Sequence, residues 1–267
     1  MASIATERAE MPKGTSKLLD TRTVENDNGN LLKFLTGDIA VLDVGCGSGS
    51  ITAGIAAHLA PNGKVVGIDV SEHLIALAKE HYSSVDNLQF FVADINGFAK
   101  DERFDLITSA RVIQWLPNPV EVISKMKQLL KKGGYLSILD YTHTKIECVP
   151  QLPAAMQVLY DAFLQWRKDA GFDNEMADNL KPIFESCGFT HVLTEEHHEI
   201  ATKEDRDFDS KMAIWKIVAE TRGHQLVKDG YITEEERLAS IEEYDVWVKT
   251  DAQFMKMYLL AVEAKAE

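Results

Sequence analysis

From residue 39 the chain alternates short apolar runs with amphipathic stretches. IAVLDVG (39–45) is an apolar run that ends in glycine, the pattern of a buried strand. Ser50 to Leu59 then sets Ile51, Ile55 and Leu59 at i, i+4, i+8, one face of a helix. PNG (61–63) marks a turn, and KVVGIDV (64–70) a second strand. SEHLIALAKEHY (71–82) opens on a serine cap and predicts a helix. LQFFVADI (88–95) and FDLITSA (104–110) predict strands three and four. PVEVISKMKQLL (119–130) carries proline in its first turn and stops before Gly133–Gly134, and YLSILDY (135–141) predicts strand five.

Strand and helix in alternation, joined by connections of a few residues, imply right-handed crossovers and a parallel sheet covered on both faces. Ligands of such sheets bind beyond the carboxyl ends of the strands, near the switch point beside the first strand. After residue 141 the alternation stops. Residues 150–170 read as a helix with Leu152, Met156, Leu159, Phe163 and Trp166 on one side; 179–189 as a short helix; 191–200 as strand six. Acidic amphipathic helices follow at about 206–228 and 233–249, then a last strand at 255–266. Ahead of the alternation, residues 1–30 are polar, with a helix expected near Leu18–Leu19 and another from Asn30 to Leu35. These segments group into an arm (1–38), a ligand-binding core (39–145), a helical insertion (146–178), a core helix with strand six (179–200), a second helical insertion (201–253) and a last core strand (254–267). The insertions are expected to cap the ligand end of the sheet.

Composition narrows the partners. With 28 basic and 42 acidic side chains the formal charge is -14, which disfavours nucleic acid as a substrate. No apolar stretch reaches the roughly 20 residues of a membrane span. The N-terminus lacks the apolar core of a secretory signal. Cys46, Cys148 and Cys187 lie far apart, without metal or disulfide spacing, so a cytoplasmic protein without a metal is expected.

The chemistry concentrates at VLDVGCGSG (41–49). Gly45, Gly47 and Gly49 fall at i, i+2, i+4, whereas a dinucleotide fingerprint would put its third glycine at position 50, which is serine. Glycines here let a ligand approach the backbone as the chain turns into a helix. Asp43 places a carboxylate inside a buried strand, costly unless it is paired or hydrogen-bonded. It suits a ligand cation such as an ammonium, or else caps loop amides. Asp69, ending strand two, is placed either to accept from both ribose hydroxyls of a nucleoside or to sit as an acid at a helix N-terminus. Asp94 and Ile95, ending strand three, suit an adenine amino group and ring, or else a turn. Together the three acids describe a ligand with an amino-acid end, a ribose and an adenine, but no phosphates.

At this point the sequence resembles the class I S-adenosylmethionine (AdoMet)-dependent methyltransferases. VLDVGCGSG is similar to the family's first motif, VVGIDVS to its second, FFVADI to its third, FDLITSARVIQWLPNP to the strand-four segment, and KMKQLLKKGGYLSILD to the helix and strand that follow. VIQWLPNP is similar to small-molecule enzymes of the trans-aconitate and ubiquinone/menaquinone types. The resemblance implies a Rossmann-like, seven-stranded, mostly parallel sheet with helices on both faces. It implies that AdoMet is the cofactor and S-adenosylhomocysteine (SAH) the product. It also implies that Asp43 and the Gly45–Gly49 loop meet the methionine part, that Asp69 holds the ribose with Val70 beside the adenine, that Asp94 and Ile95 recognise the adenine, and that Ser109, Ala110 and Arg111 line the cofactor near the methyl group. From charge alone, Arg22 is a candidate for the methionine carboxylate, and a surface arginine is the alternative.

Methyl transfer needs alignment of two reactants and exclusion of water, and it needs a base only for a hydroxyl or carbon acid. Tyr141 and His143, following strand five, are the candidates on the acceptor side, with His143 as base. Trp115 is an acceptor wall or core. His197 and His198, adjacent in a strand, point to opposite faces and make no metal site. The expected reaction is methyl transfer to a small-molecule, partly hydrophobic acceptor. Three alternatives stay open: a quinone-pathway C-methyltransferase, a non-catalytic AdoMet-binding protein, and an NAD-dependent reductase.

Overall fold

The computed structural model describes residues 4–12, 21–99 and 103–267. The helix expected near Leu18–Leu19 lies outside them.

The alternation read from the sequence is present. Strands β1 (Ala40–Val44), β2 (Lys64–Asp69), β3 (Leu88–Val92), β4 (Phe104–Ala110) and β5 (Leu130–Val149) alternate with helices α3 (Ser50–His58), α4 (Glu72–His81) and α5 (Pro119–Leu129). They follow α1 (Ile4–Ala9), α2 (Val24–Asp27) and a 3-10 turn at Gly29–Phe34, where a helix over 30–35 was expected. Ser71 caps α4 by accepting from the Leu74 amide at 3.3 Å, and Pro119 opens α5. Neighbours β3-β2, β2-β1, β1-β4 and β4-β5 are all parallel, so the carboxyl ends of these five strands lie along one edge of the sheet.

The sheet has eight strands, not seven, in the order β3-β2-β1-β4-β5-β8-β6, with β7 pairing β8. The extra strand arises because the segment expected as strand six is broken into β6 (Thr190–Glu196) and β7 (Glu199–Thr202), each antiparallel to β8 (Phe254–Lys265). His197 and His198 occupy the break and are not strand residues. His198 accounts for it locally: its ring bonds the backbone at Leu259 (Nδ1 to O, 3.0 Å), a side-chain contact where a strand would place a ladder bond. The helix expected over 206–228 is three short ones, α8 (Phe208–Met212), α9 (Ile214–Thr221) and α10 (Gly223–Lys228). At Gly223 a side chain would press on Arg237, whose Cδ would lie 2.9 Å from an added Cβ, so the chain bends where α11 (Glu234–Thr250) passes close. Helices α6 (Ala154–Asp169) and α7 (Met176–Ser186) match the two expected after strand five.

The described residues divide into two compact units. One, here the loop unit, comprises 21–99, 103–140, 176–197 and 260–267; the other, the helical unit, comprises 4–12, 141–175 and 198–259. The loop unit's core packs Val41, Val65, Leu88 and Leu106 of the strands against Ile55, Ala56, Ile75 and Ala78 of α3 and α4, with Val24, Leu31 and Leu35 of the N-terminal segment. The helical unit is centred on Met156, Phe163 and Trp166 of α6, with Trp215, Tyr244 and Trp247. No helix of the described residues is long and apolar enough to cross a membrane.

Candidate functional site

The site is built at the carboxyl ends of β1 to β4. Register fixes which residues meet: Asp43 of β1 lies level with Gly67 of β2 and Thr108 of β4, and Asp69 of β2 level with Val92 of β3. Past Val44 the chain turns sharply. The Gly45 and Cys46 amides both donate to the Ile68 carbonyl, at 2.8 and 3.0 Å, which lashes the loop to the tip of β2. Gly45 has φ +77°, and a Cβ there would stand 2.3 Å from Val112 Cγ2; only glycine fits. Gly49, at φ +87°, is equally closed, by Phe90 at 2.6 Å.

Two carboxylates converge on this loop. Asp43 is buried and accepts from Thr52 Oγ1 at 2.6 Å, a partner supplied by the first turn of α3. Asp69 accepts from the Gly47 amide at 3.0 Å and the Ser71 amide at 2.9 Å, so it joins the loop to the start of α4. Burial pushes the Asp43 carboxyl up to about 6; Thr52 opposes the shift and the charge of Asp69 adds to it. Burial also raises Asp69, against the pull of its backbone amide partners. The Cys46 thiol between them rises well above its ordinary value, through burial first and then through the charges of Asp43 and Asp69. The loop therefore carries a negative field. Among the described residues no lysine, arginine or histidine pairs with either acid. Ser48 Oγ, in the same loop, is buried and has no hydrogen-bond partner.

The remaining expected residues are placed as follows. Asp94 is exposed at the end of β3 and accepts from the Asn96 amide at 2.8 Å; Ile95 is buried. Val70, beside Asp69, is 69% exposed, an unusual place for valine unless something apolar covers it. Ser109 of β4 turns its hydroxyl to the Val44 carbonyl at 2.8 Å, tying β4 to β1. Ala110 follows, half-buried. Arg111 takes φ +63°, a left-handed conformation rare for arginine; its amide donates to Leu139 O at 2.7 Å and its guanidinium to Asp27 O at 3.0 Å. The Arg22 carbonyl accepts from Ser50 Oγ at 2.5 Å. Trp115 ends a 3-10 turn and is half-buried. Thr52 was not anticipated; the signal was a hydroxyl in the first helical turn after an acid that needed a donor.

Tyr141 and His143 belong to the helical unit. The Tyr141 hydroxyl donates to both oxygens of Glu199 at 2.9 Å. His143 stacks on Tyr141 with centroids 5.2 Å apart and meets Phe163 and Trp215 edge-on. Burial, then the nearby charge of Arg167, lowers its imidazole well below the ordinary value, so it is neutral at pH 7. Among the described residues no group of three or more histidine, cysteine, aspartate or glutamate side chains could hold a metal ion. A cavity of about 850 Å³ is lined by Lys33, Tyr135, Leu193, Glu263 and Lys265; it adjoins the start of β5, opposite to the glycine loop along the strands.

Comparison with known proteins shows the family and the fold. Residues 35–203 match the family described as methyltransferase domain. A demethylmenaquinone methyltransferase of Staphylococcus aureus is 27% identical over 163 residues, which cover 57% of this chain and 68% of the relative. Among solved structures, an S-adenosylmethionine-dependent methyltransferase from Aquifex aeolicus superposes with TM-score 0.55 at 17% identity, covering 97% of this chain and 100% of the other. Haemonchus contortus phosphoethanolamine N-methyltransferase 2, in complex with phosphomonomethylethanolamine and S-adenosylhomocysteine, superposes with TM-score 0.57 at 17% identity over 90% of this chain. This chain covers about half of it, 52%. These superpositions establish the shared fold.

Proposed function

The chain belongs to the methyltransferase-domain family and is an S-adenosylmethionine-dependent methyltransferase; on that premise we propose that it methylates a small-molecule acceptor, with its cofactor held by the acids of β1, β2 and β3. One observation carries the site assignment. Asp43 and Asp69 meet at a glycine loop with no lysine, arginine or histidine among the described residues paired to either, an arrangement that suits a cationic ligand. A buried negative field of this kind is costly in isolation and favourable toward a ligand that brings an ammonium.

The residues divide the work. Asp69, fixed by two backbone amides, keeps lone pairs for the ribose hydroxyls. Asp94 is exposed for the adenine amino group, and the uncovered Val70 supplies apolar surface for the ring. Gly45 to Gly49 bring backbone close to the amino-acid end. AdoMet, when bound, supplies a methyl group activated on a sulfonium. The protein aligns the partners and keeps water out, which is worth roughly 7–11 kcal/mol in well-oriented systems.

A second reading, a quinone-pathway C-methyltransferase, is supported by the demethylmenaquinone relative. An acceptor screen with SAH as the readout separates the two, and it includes a demethylated quinone and a phosphorylated amino alcohol. Titration calorimetry with SAH tests the premise. Binding to the wild-type chain, abolished or strongly weakened by Asp69→Ala, supports the nucleoside assignment; equal binding by both removes it.

A further inference from the structure

The N-terminal segment is more than an appendage of the loop unit. Helix α3 begins where the glycine loop ends, and Ser50, Gly54 and His58 lie along one of its faces at i, i+4, i+8. Each meets the segment in turn. Ser50 Oγ donates to Arg22 O at 2.5 Å, a Cβ on Gly54 would sit 3.0 Å from Val24 Cγ1, and His58 pairs with Glu25 at 2.8 Å. The segment is also self-capped, with Asp27 accepting from the Thr23 amide at 2.9 Å. At its far end the Asp27 carbonyl accepts from the guanidinium of Arg111, whose backbone is held in a left-handed conformation that costs of order 1–3 kcal/mol. Strain stored at the tip of β4 is spent on reaching residue 27.

The next residue is Asn28. It is 2% exposed, and its Oδ1 has no donor among the described residues. An orphaned buried amide oxygen costs about 1–3 kcal/mol unless a ligand or water supplies the proton. The position says which part of a ligand would. The sheet runs β3-β2-β1-β4, with Asp94 and Asp69 at the β3 and β2 tips, so the contact with Arg111 at the β4 tip puts this segment on the opposite, amino-acid side. We propose that residues 21–28 form the wall of the cofactor site at its amino-acid end, where Asn28 Oδ1 accepts from the ligand's ammonium and Arg111 is the positioning residue that holds the segment in place. This rests on the cofactor assignment above.

Two nucleosides separate the claims. SAH carries the amino-acid tail; 5′-methylthioadenosine keeps the adenosine and the sulfur but lacks the tail. Failure of both to bind the wild-type chain would remove the underlying cofactor assignment. With both bound, Asn28→Ala weakens SAH by about tenfold and leaves methylthioadenosine within twofold, as loss of one charge-assisted hydrogen bond requires. Equal loss for both ligands, or no loss for either, overturns the proposal. Should Asn28→Ala fail to fold, Asn28→Asp keeps an acceptor oxygen and must bind SAH at least as tightly as the wild type; weaker binding overturns the proposal equally. As an independent readout, SAH and not methylthioadenosine slows proteolysis within residues 21–28, and Arg111→Ala removes that difference. Equal protection by the two ligands contradicts the role of the segment.

Discussion

The two units differ in the buried polar groups they leave unmatched. In the loop unit the buried atoms without partners include, among the described residues, four oxygens, Ser48 Oγ, Thr108 Oγ1, Asn28 Oδ1 and Asn30 Oδ1; Asp43 is buried and Asp69 half-buried with no described lysine, arginine or histidine paired to either, and one arginine, Arg111, is buried as well. In the helical unit they include the indole N–H groups of Trp215 and Trp247, and the buried charges are arginines. Those arginines are engaged in holding the unit together. Arg8 pairs with Asp229 at 3.2 Å, bonds the Trp166 carbonyl and lies over the Trp166 ring at 4.9 Å. Arg222 donates to the Arg8 carbonyl at 2.7 Å, and Arg167 to Asn174 at 2.8 Å. The contrast teaches that what a buried site lacks is as informative as the charge it carries.

Four predictions would break or sharpen that contrast. The largest effect is expected for Gly45→Ala. The added methyl collides with Val112 and the backbone leaves its permitted region, so thermal or urea unfolding should show a loss of about 3–4 kcal/mol. A near-neutral result would mean the loop is not closed as described. Next, Asp69→Ala should weaken SAH by about a hundredfold, near 2.7 kcal/mol, since two ribose contacts and the anchoring of Gly47 are lost together.

The third prediction sets the units against each other in pH. Asp43 has its carboxyl raised in the native state, so between about pH 4 and 6 the native protein holds a proton that the unfolded chain has released. Stability attributable to Asp43 therefore falls as pH rises through that window, by about 2–3 kcal/mol, and Asp43→Asn removes the slope. His143 behaves inversely. Its imidazole is depressed, so the unfolded chain takes up a proton first, and stability falls as pH drops below about 6.5; His143→Gln removes that limb. Urea titrations of the two variants across pH 4–8 check both signs. The smallest effect belongs to Arg8→Ala. It should cost about 1–2 kcal/mol of stability through lost stacking and pairing, with SAH affinity within twofold of the wild type. A large loss of SAH affinity would show that the separation between the units is not functional.

Legibility in the sequence followed the same division. β1 to β4 and their helices were readable because the strands are short apolar runs, the first three ending near glycine or acid, and because α4 and α5 carry their own start signals, Ser71 and Pro119. For the same reason Asp43, Asp69 and Asp94 could be assigned to neighbouring strand tips without coordinates. The far part of the chain was harder. β5 runs from Leu130 to Val149, well beyond the apolar stretch at 135–141, because its later residues alternate polar and apolar where it pairs with no continuous core. The break at His197–His198 and the bends between α8, α9 and α10 depend on tertiary contacts, at Leu259 and Arg237, that no local pattern announces. Asn28 was invisible for a related reason: an asparagine in a polar arm looks like surface until the arm is seen docked on α3.

The most direct test of the central claim is a crystal structure with SAH. The account predicts the ribose hydroxyls on the Asp69 carboxylate and the amino-acid tail between the glycine loop and Asn28. SAH bound instead in the cavity beside Lys33, Tyr135 and Glu263, with the loop acids untouched, would contradict it.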